Sequence, residues 1–346
     1  MSEADVVFAV ERTTGIITLN RPKALNALNH DMAVAIIDQL HAWAEDASIT
    51  CVLIEGAGDR AFCAGGDIVA VARAMQVKDA SAAHYFAAEY TVDHVIHRFP
   101  KPYVALMDGI TMGGGCGLSV HGSHRVVTDR TMLAMPEVGI GFFCDVGATL
   151  FLNRCPGTVG LYMALTAARI DGAEAHWAGL GTHYVASSRM AELKSALIEA
   201  GDPDEALAGF AQAPPPAALA GMQAIIDRCF GHPTVEAIVA ALNRESDPAA
   251  REMAESMAKQ SPTSLKLTHH LMTRNTSPSI EESLIWDYRA SQGCVAGHDF
   301  YEGIRALLID KDGAPKWQPD SLAGVSQEMI EEHLQIPDGG DLPLSN

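Results

Sequence analysis

The sequence is 346 residues long, with 48% apolar and 19% charged residues, and these values are typical of a globular protein rather than a disordered one. Its formal net charge of −19 argues against nucleic acid or an anionic membrane as the main partner, because both require clustered Lys and Arg. A small anionic substrate is still compatible with this charge, since a few local cations can bind it.

The cysteines and the N-terminal residues indicate a cellular compartment. The seven cysteines are scattered and form no CxxC pair, so the sequence predicts neither a zinc site nor a disulfide framework. The N-terminal segment MSEADVVFAV carries acids where a signal or transit peptide would carry Lys or Arg. No run of about 18 apolar residues is present, so no membrane span is predicted. We therefore expect a soluble, cytoplasmic protein.

The first half of the chain has the pattern of an α/β protein with glycine turns at successive strand ends. Its first two strands are predicted to form a β-hairpin, in which Gly15 accommodates the backbone near the turn. Asn29 or Asp31 is a candidate N-cap of the first helix. Strands are predicted at residues 6–10, 15–19, 51–54, 103–107, 125–128 and 183–185, and helices at residues 32–40, 84–99, 155–166 and 172–178.

The second half has a different pattern. From about residue 188 strand signals give way to Ala-rich helical periodicity, interrupted by three consecutive prolines, Pro214 to Pro216. We predict an α/β core over residues 1–187, a helical C-terminal region over residues 188–335, and a frayed tail over residues 336–346 that is rich in Gly, Pro and Asp.

Two glycine-rich turns and two acids are the main functional signals. Gly65-Gly66 and Gly113-Gly114-Gly115 present backbone N–H groups with no side chain in the way, and two such groups can form an oxyanion hole for an acyl oxygen. Glu137 and Asp145 lie eight residues apart in otherwise uncharged sequence, where burial should raise the pKa of Glu137 and make it a stronger base or nucleophile. On these residues alone, a catalytic site and a purely structural arrangement both stay open.

The sequence lacks the common dinucleotide-binding, phosphate-binding and serine-hydrolase motifs, and it has no complete metal-ligand pattern. Leu118 and Val120 stand where the third glycine of a dinucleotide-binding GxGxxG belongs, and neither GxxxxGK[ST] nor GxSxG occurs. Asp93, His94 and His97 have helical metal-ligand spacing, but no further ligand is evident, so we expect no metal site.

Glu89 is unusual for its position on a predicted helix. It shares an apolar stripe with Phe86, Val92 and Ile96. Taken by itself, such a carboxylate is more often a surface acid than a functional one.

The glycine turns resemble a known family. Ala64-Gly65-Gly66-Asp67-Ile68 and the triplet Gly113-Gly114-Gly115 are similar to the two signature turns of the crotonase (enoyl-CoA hydratase/isomerase) superfamily, and LNRPKALNAL at residues 19–28 resembles its N-terminal CoA-binding segment. The resemblance implies a crotonase-like spiral of ββα repeats with a helical C-terminal region, and it places the CoA and catalytic site in residues 1–187. It implies an oxyanion hole from the N–H groups of Gly66 and Gly114. The CoA-binding residues that it implies are Lys23, Ala24, Leu25, Ala64, Gly66, Asp67 and Ile68.

Longer motifs resemble the thioesterases of this family that act on short 3-hydroxyacyl-CoA esters. These motifs are MPE at residues 135–137, DVG at 145–147, SVHG at 119–122, SPTS at 261–264, GHDF at 297–300, DKD at 310–312 and PKW at 315–317. Typical hydratases place a glutamate three residues beyond the middle glycine of the triplet, where this sequence has Gly117. The resemblance therefore implies hydrolysis of 3-hydroxyisobutyryl-CoA in valine catabolism, with 3-hydroxypropionyl-CoA as a further candidate substrate.

The resemblance also implies roles for individual residues. Glu137 would act on the thioester, either as nucleophile or as general base, and both roles stay open. The catalytic residues would be Glu137 and Asp145. Glu89 and Asp145 would contact the acyl group, at its 3-hydroxyl, and Gly114 and Glu137 would bind the substrate with them. No cofactor is implied beyond the CoA carried by the substrate, and homo-oligomers are common in the family. The alternatives are another crotonase reaction, such as enoyl-CoA isomerisation or hydration, and an acyl-CoA-binding protein without activity.

Overall fold

The computed structural model describes residues 4–77 and 80–344. These residues form two compact units. Unit 1 comprises residues 4–67, 91–134 and 169–220, and unit 2 comprises residues 68–77, 80–90, 135–168 and 221–344.

All strands of the described residues lie in unit 1. They are β1 (Val6–Glu11), β2 (Thr14–Leu19), β3 (Cys51–Gly56), β4 (Ala61–Cys63), β5 (Tyr103–Met107), β6 (Ile110–Met112), β7 (His124–Val127), β8 (Met132–Ala134), β9 (Ile170–Asp171) and β10 (His183–Tyr184). The helices are α1 (His30–Glu45), α2 (Ile68–Gln76), α3 (Ala80–His97), α4 (Gly114–Val120), α5 (Ala148–Phe151), α6 (Val159–Thr166), α7 (Gly172–Trp177), α8 (Met190–Ala200), α9 (Pro203–Ala208), α10 (Ala218–Phe230), α11 (Val235–Leu242), α12 (Pro248–Met257), α13 (Pro262–Arg274), α14 (Ile280–Ala296), α15 (Asp299–Ile304) and α16 (Gln327–His333).

The strands of unit 1 form two sheets. One has the order β1-β2-β3-β5-β7-β10 and the other the order β4-β6-β8-β9. From β3 to β8 the chain adds a strand to the first sheet and then one to the second, and the pairs β3-β5, β5-β7, β4-β6 and β6-β8 are parallel. This alternation is the ββα repeat that the sequence analysis predicted.

The N-terminal hairpin is confirmed, but the reason for its glycine is different. β1 and β2 pair antiparallel with Val10 opposite Gly15, so Gly15 lies within the ladder and not in the turn. The left-handed backbone of the turn belongs to Arg12, with φ of 55°. A Cβ atom at Gly15 would lie 2.8 Å from the ring of Trp43, so the close approach of this ring requires the glycine.

The core of unit 1 explains why the central parallel strands β3 and β5 are mostly apolar. Ile16, Leu53 and Val104 on the first sheet pack with Leu193 of α8 and Leu207 of α9. Parallel strands covered by helices are buried and tend to read as continuous hydrophobic runs, as β5 does with every residue buried. The described residues after β10 contain no strand, as the helical pattern predicted, while the predicted domain boundary at residue 187 stays a prediction.

Unit 2 is helical, and its C-terminal segment is anchored. Asp341 accepts two hydrogen bonds of 2.6 Å from the guanidinium of Arg289 on α14, and Leu342 is only 4% exposed. The prediction of a frayed tail is therefore wrong for residues 336–344, because an ion pair and a buried leucine hold them; residues 345 and 346 lie outside the described residues. None of the described helices is both long enough and apolar enough to cross a membrane.

Candidate active site

In unit 1, the predicted CoA-binding segment and the first glycine turn are hydrogen-bonded to each other. Leu28 forms an isolated parallel bridge with Gly66, in which Leu28 N donates to Gly65 O at 2.9 Å and Asp67 N donates to Leu28 O at 2.8 Å. The N–H of Ala64 donates to the carbonyl of Leu25 at 3.0 Å. In this bridge the N–H of Gly66 itself points away from Leu28, and it has no hydrogen-bond partner among the described residues.

The second glycine turn lies against the first. Gly113 has φ of 50° and ψ of −121°, a conformation that side chains disfavour, and it leads into α4 at Gly114. The N–H of Gly114 belongs to the first turn of the helix, which offers it no intrahelical acceptor. A Cβ atom at Gly115 would lie 2.1 Å from the carbonyl oxygen of Cys63, and one at Gly65 would lie 3.9 Å from Gly114 N. Both predicted oxyanion donors therefore lie on adjoining turns of unit 1.

The two basic residues of the predicted CoA-binding segment differ in their contacts with the rest of the protein. Arg21 is held internally, because its guanidinium donates to Asp67 Oδ2 at 2.8 Å and to Ala27 O at 2.7 Å. Lys23 is exposed in the short 3-10 turn Pro22–Ala24 and forms no ion pair with a described residue. Ile68, the last of the predicted CoA-binding residues, begins α2 in unit 2.

Unit 2 brings together the three predicted acids. Glu137 begins a 3-10 turn after Pro136 and is 6% exposed, while Glu89 on α3 and Asp145 are 2% and 4% exposed. Each carboxylate has one side-chain hydrogen-bond partner in the described residues. Tyr85 donates to Glu89 at 2.9 Å, Tyr90 donates to Asp145 Oδ2 at 2.8 Å, and Cys144 Sγ lies 3.7 Å from Glu137 Oε2.

These acids hold their protons more tightly than ordinary carboxyl groups. Burial raises the pKa of Glu137 well above its usual range, and the charge of Asp145 raises it further, while the weak hydrogen bond from Cys144 opposes the shift. Burial and the charge of Asp145 likewise raise the pKa of Glu89 well above its usual range. Burial raises the pKa of Asp145 to about 7, against the opposing effect of the Tyr90 hydroxyl. No cationic side chain of the described residues contributes to these shifts.

A fourth acid, Asp287, belongs to the same group and was missed by the sequence analysis. It is fully buried on α14, and burial together with the charge of Asp145 raises its pKa well above the usual range. A signal was present in the sequence, since Asp287 shares a buried stripe with Leu284, Ala290 and Cys294. The same kind of stripe had drawn attention to Glu89.

Four neighbouring buried carboxyl groups cannot all be ionised near neutral pH when the described residues place no cationic side chain beside them. Such a group supplies both a carboxylate for attack or proton abstraction and a neutral acid that can donate a hydrogen bond. Neither function needs a metal, and the described residues contain no cluster of three or more His, Cys, Asp or Glu arranged to hold one.

Comparison with known proteins defines the class of protein. The model of the enoyl-CoA hydratase/isomerase family matches residues 14–334, so the chain belongs to this family. A solved structure named as a carnitinyl-CoA dehydratase from Mycobacterium thermoresistibile has a TM-score of 0.94 at 44% identity and covers 98% of each chain. Another, named as an enoyl-CoA hydratase from Rhodobacter sphaeroides, has a TM-score of 0.93 at 36% identity, covering 99% of this chain and 100% of the other. The predicted crotonase fold is confirmed.

The curated relatives carry a different name. The 3-hydroxyisobutyryl-CoA hydrolase of Danio rerio is 44% identical over 99% of this chain and 92% of its own length. The human protein of the same name is 41% identical over 98% of this chain and 90% of its own. Both are named as mitochondrial, which contradicts the cytoplasmic location expected from the sequence. That expectation was wrong because it used only the composition of a few residues, which does not determine a compartment.

Proposed function

We propose that this protein is a thioesterase that hydrolyses 3-hydroxyisobutyryl-CoA to the free hydroxy acid and CoA. The observation that carries the proposal is the buried carboxyl of Glu137, which lies among other acids with only a thiol as its side-chain partner in the described residues. A carboxylate in such surroundings is poorly solvated and therefore a strong nucleophile or base. The names and near-complete coverage of the curated relatives support the same substrate.

The proposed roles follow from the chemistry of each group. The N–H groups of Gly66 and Gly114 would stabilise the negative charge that develops on the thioester oxygen. In one route, a Glu137 oxygen bonds to the carbonyl carbon and the CoA thiolate leaves, and water then hydrolyses the mixed anhydride. In the other route, Glu137 takes a proton from the water that attacks. Asp145 and Glu89 would orient the 3-hydroxyl, and the reaction needs no cofactor besides the CoA of the substrate.

Position 117 argues against hydration as the main reaction. A Cβ atom at Gly117 would lie only 2.4 Å from Asp93 Oδ1, so the glutamate that typical hydratases carry there does not fit beside Asp93. Hydration uses two carboxylates, whereas thioester hydrolysis needs one carboxylate and the oxyanion donors.

Release of free thiol tests the proposal. The wild-type protein should release CoA from 3-hydroxyisobutyryl-CoA, and Glu137→Gln should lower the rate about 100- to 10,000-fold, as expected when a nucleophile or general base is lost. Assays with 3-hydroxypropionyl-CoA and isobutyryl-CoA would define the acyl preference, and crotonyl-CoA would report hydration. Conversion of enoyl-CoA substrates without thiol release from any ester would contradict the proposal.

Single-turnover hydrolysis in oxygen-18 water tests the anhydride route. Label in the Glu137 carboxylate would establish the anhydride, because water attacking the anhydride at the protein carbonyl leaves its oxygen there. Label found only in the product acid would exclude attack of water on an anhydride at the protein carbonyl.

A further inference from the structure

The turn that follows Asp145 has an unusual backbone. Val146 has φ of 53° and Gly147 has φ of 77°, so two consecutive residues are left-handed. A β-branched residue in this region is an outlier, and such conformations persist only where the surrounding structure holds them. The N–H of Ala148 donates to the carbonyl of Asp145 at 3.0 Å, so the turn closes directly on the residue that carries the acid.

The contact that holds this turn comes from α14. Asp287 is 0% exposed, and its Oδ2 accepts a hydrogen bond of 2.8 Å from the N–H of Gly147. Its other oxygen, Oδ1, has no hydrogen-bond partner among the described residues. The carboxyl of Asp145 is held separately by Tyr90, whose hydroxyl donates to Asp145 Oδ2 at 2.8 Å.

We propose that Asp287 is a positioning residue for Asp145, which it holds toward the 3-hydroxyl of the substrate through its hydrogen bond to the Gly147 amide. The inference rests on the proposed function, in which Asp145 orients that hydroxyl. Asp287 does not touch the reacting atoms in this assignment. It fixes the left-handed turn whose first residue is Asp145.

The surroundings of Asp287 indicate which substitution preserves this role. Burial and the charge of Asp145 raise the pKa of Asp287 and so favour its neutral form, and one of its oxygens accepts the hydrogen bond from Gly147. An asparagine has the same shape, no charge and an acceptor oxygen in the same place. Asp287→Asn should therefore keep the turn, and Asp287→Ala should release it.

The same kind of contact elsewhere in unit 2 offers a matched control. Asp227 on α10 accepts a hydrogen bond of 2.8 Å from the N–H of Thr158, next to Gly157, whose φ is 54°. A helix carboxylate thus holds a left-handed glycine turn in both places. Asp227→Ala removes this contact without touching the acid group.

The decisive measurement is the ratio of kcat/KM for 3-hydroxyisobutyryl-CoA to kcat/KM for isobutyryl-CoA. Asp287→Ala should lower this ratio about tenfold, Asp145→Asn should lower it similarly, and the double variant should show no further loss, because both changes remove one function. Asp287→Asn should restore the ratio, and Asp227→Ala should leave it unchanged. An equal loss on both substrates, or no loss, in Asp287→Ala would overturn the proposal.

Hydrogen exchange at the Gly147 amide tests the same contact without any activity. Exchange should become faster in Asp287→Ala, return to the wild-type rate in Asp287→Asn, and stay unchanged in Asp227→Ala. Unchanged exchange in Asp287→Ala would overturn the positioning role. If the wild-type protein hydrolysed neither ester, the proposed function would fail, and the exchange rates would still decide whether Asp287 holds the turn.

Discussion

Gly117 shows how closely a single position is determined by its neighbour. The residue lies within α4, and a Cβ atom there would come within 2.4 Å of Asp93 Oδ1 and 2.9 Å of its Cγ. Asp93 is completely buried, so it has little room to move away. The absence of a side chain at Gly117 is thus a packing requirement of unit 1 as well as a departure from the hydratase pattern.

We expect Gly117→Ala to lower the free energy of unfolding by about 1–3 kcal/mol, because overpacking a close-packed interior costs about this much. Gly221→Ala is the matched control, since Gly221 lies in α10 with nothing within 4 Å of the added atom. That change should stabilise the protein by about 0.5–1 kcal/mol through helix propensity. Urea denaturation of both variants measures the difference, and equal effects of the two substitutions would contradict the packing argument.

The acids of the candidate site were only partly predictable from single residues. Glu137 and Asp145 could be found because they are isolated in uncharged sequence, and Glu89 because it interrupts an apolar stripe. Their partners could not be found in this way, since Tyr90 lies 55 positions before Asp145 and is an ordinary buried tyrosine on its helix. Which tyrosine meets which acid depends on the tertiary fold, and sequence spacing does not contain it.

At the scale of elements, helices and strands were easier to predict than the long-range contacts that hold irregular segments in place. The strands of the first sheet follow from apolar periodicity, whereas the short strands β6, β8 and β9 of the second sheet were not predicted. Helix α1 follows from its periodicity and from the Asn29 cap, whose side chain accepts from Met32 N. The C-terminal segment was misread, because its Gly, Pro and Asp content is typical of disorder. The ion pair between Arg289 and Asp341 and the burial of Leu342 bring together residues more than 50 positions apart, which composition cannot reveal.

Leu342→Ala should test whether the C-terminal segment contributes to stability. Leu342 is 4% exposed, so we expect its truncation to lower the free energy of unfolding by about 2–3 kcal/mol. Ile336 lies in the same segment but is 59% exposed, and Ile336→Ala should change stability by no more than about 0.5 kcal/mol. If thermal unfolding gave the same small effect for both variants, the segment would not be anchored in solution.

At the scale of the whole molecule, two charge effects act in the same direction. The chain has a formal net charge of −19, and mutual repulsion of these charges grows as pH rises. The buried acids add a separate effect that does not depend on the surface. Burial raises the pKa of Asp145 from 3.8 to about 7, so the folded protein binds this proton more tightly than the unfolded chain does.

The sign of the pH dependence follows from this shift. Between about pH 4 and pH 7 the folded state binds more protons than the unfolded state, so the free energy of unfolding falls as pH rises through this window. For Asp145 alone the full shift corresponds to about 4 kcal/mol, and the raised pKa values of Glu89, Glu137 and Asp287 act in the same direction. Salt screens repulsion between surface charges but affects a buried group much less.

We therefore expect the melting temperature to be higher at pH 5.5 than at pH 8. Most of this difference should persist in about 0.5 M salt, because salt at this concentration screens the surface charges. Asp145→Asn should flatten the dependence, because it removes the ionisation that opposes folding. Asp38→Asn removes the same charge from an exposed side chain that forms no ion pair with a described residue, and it should leave the dependence unchanged. Calorimetry at the two pH values measures all three proteins. A melting temperature that rises from pH 5.5 to pH 8, or a difference that disappears in salt, would show that the buried acids do not govern stability.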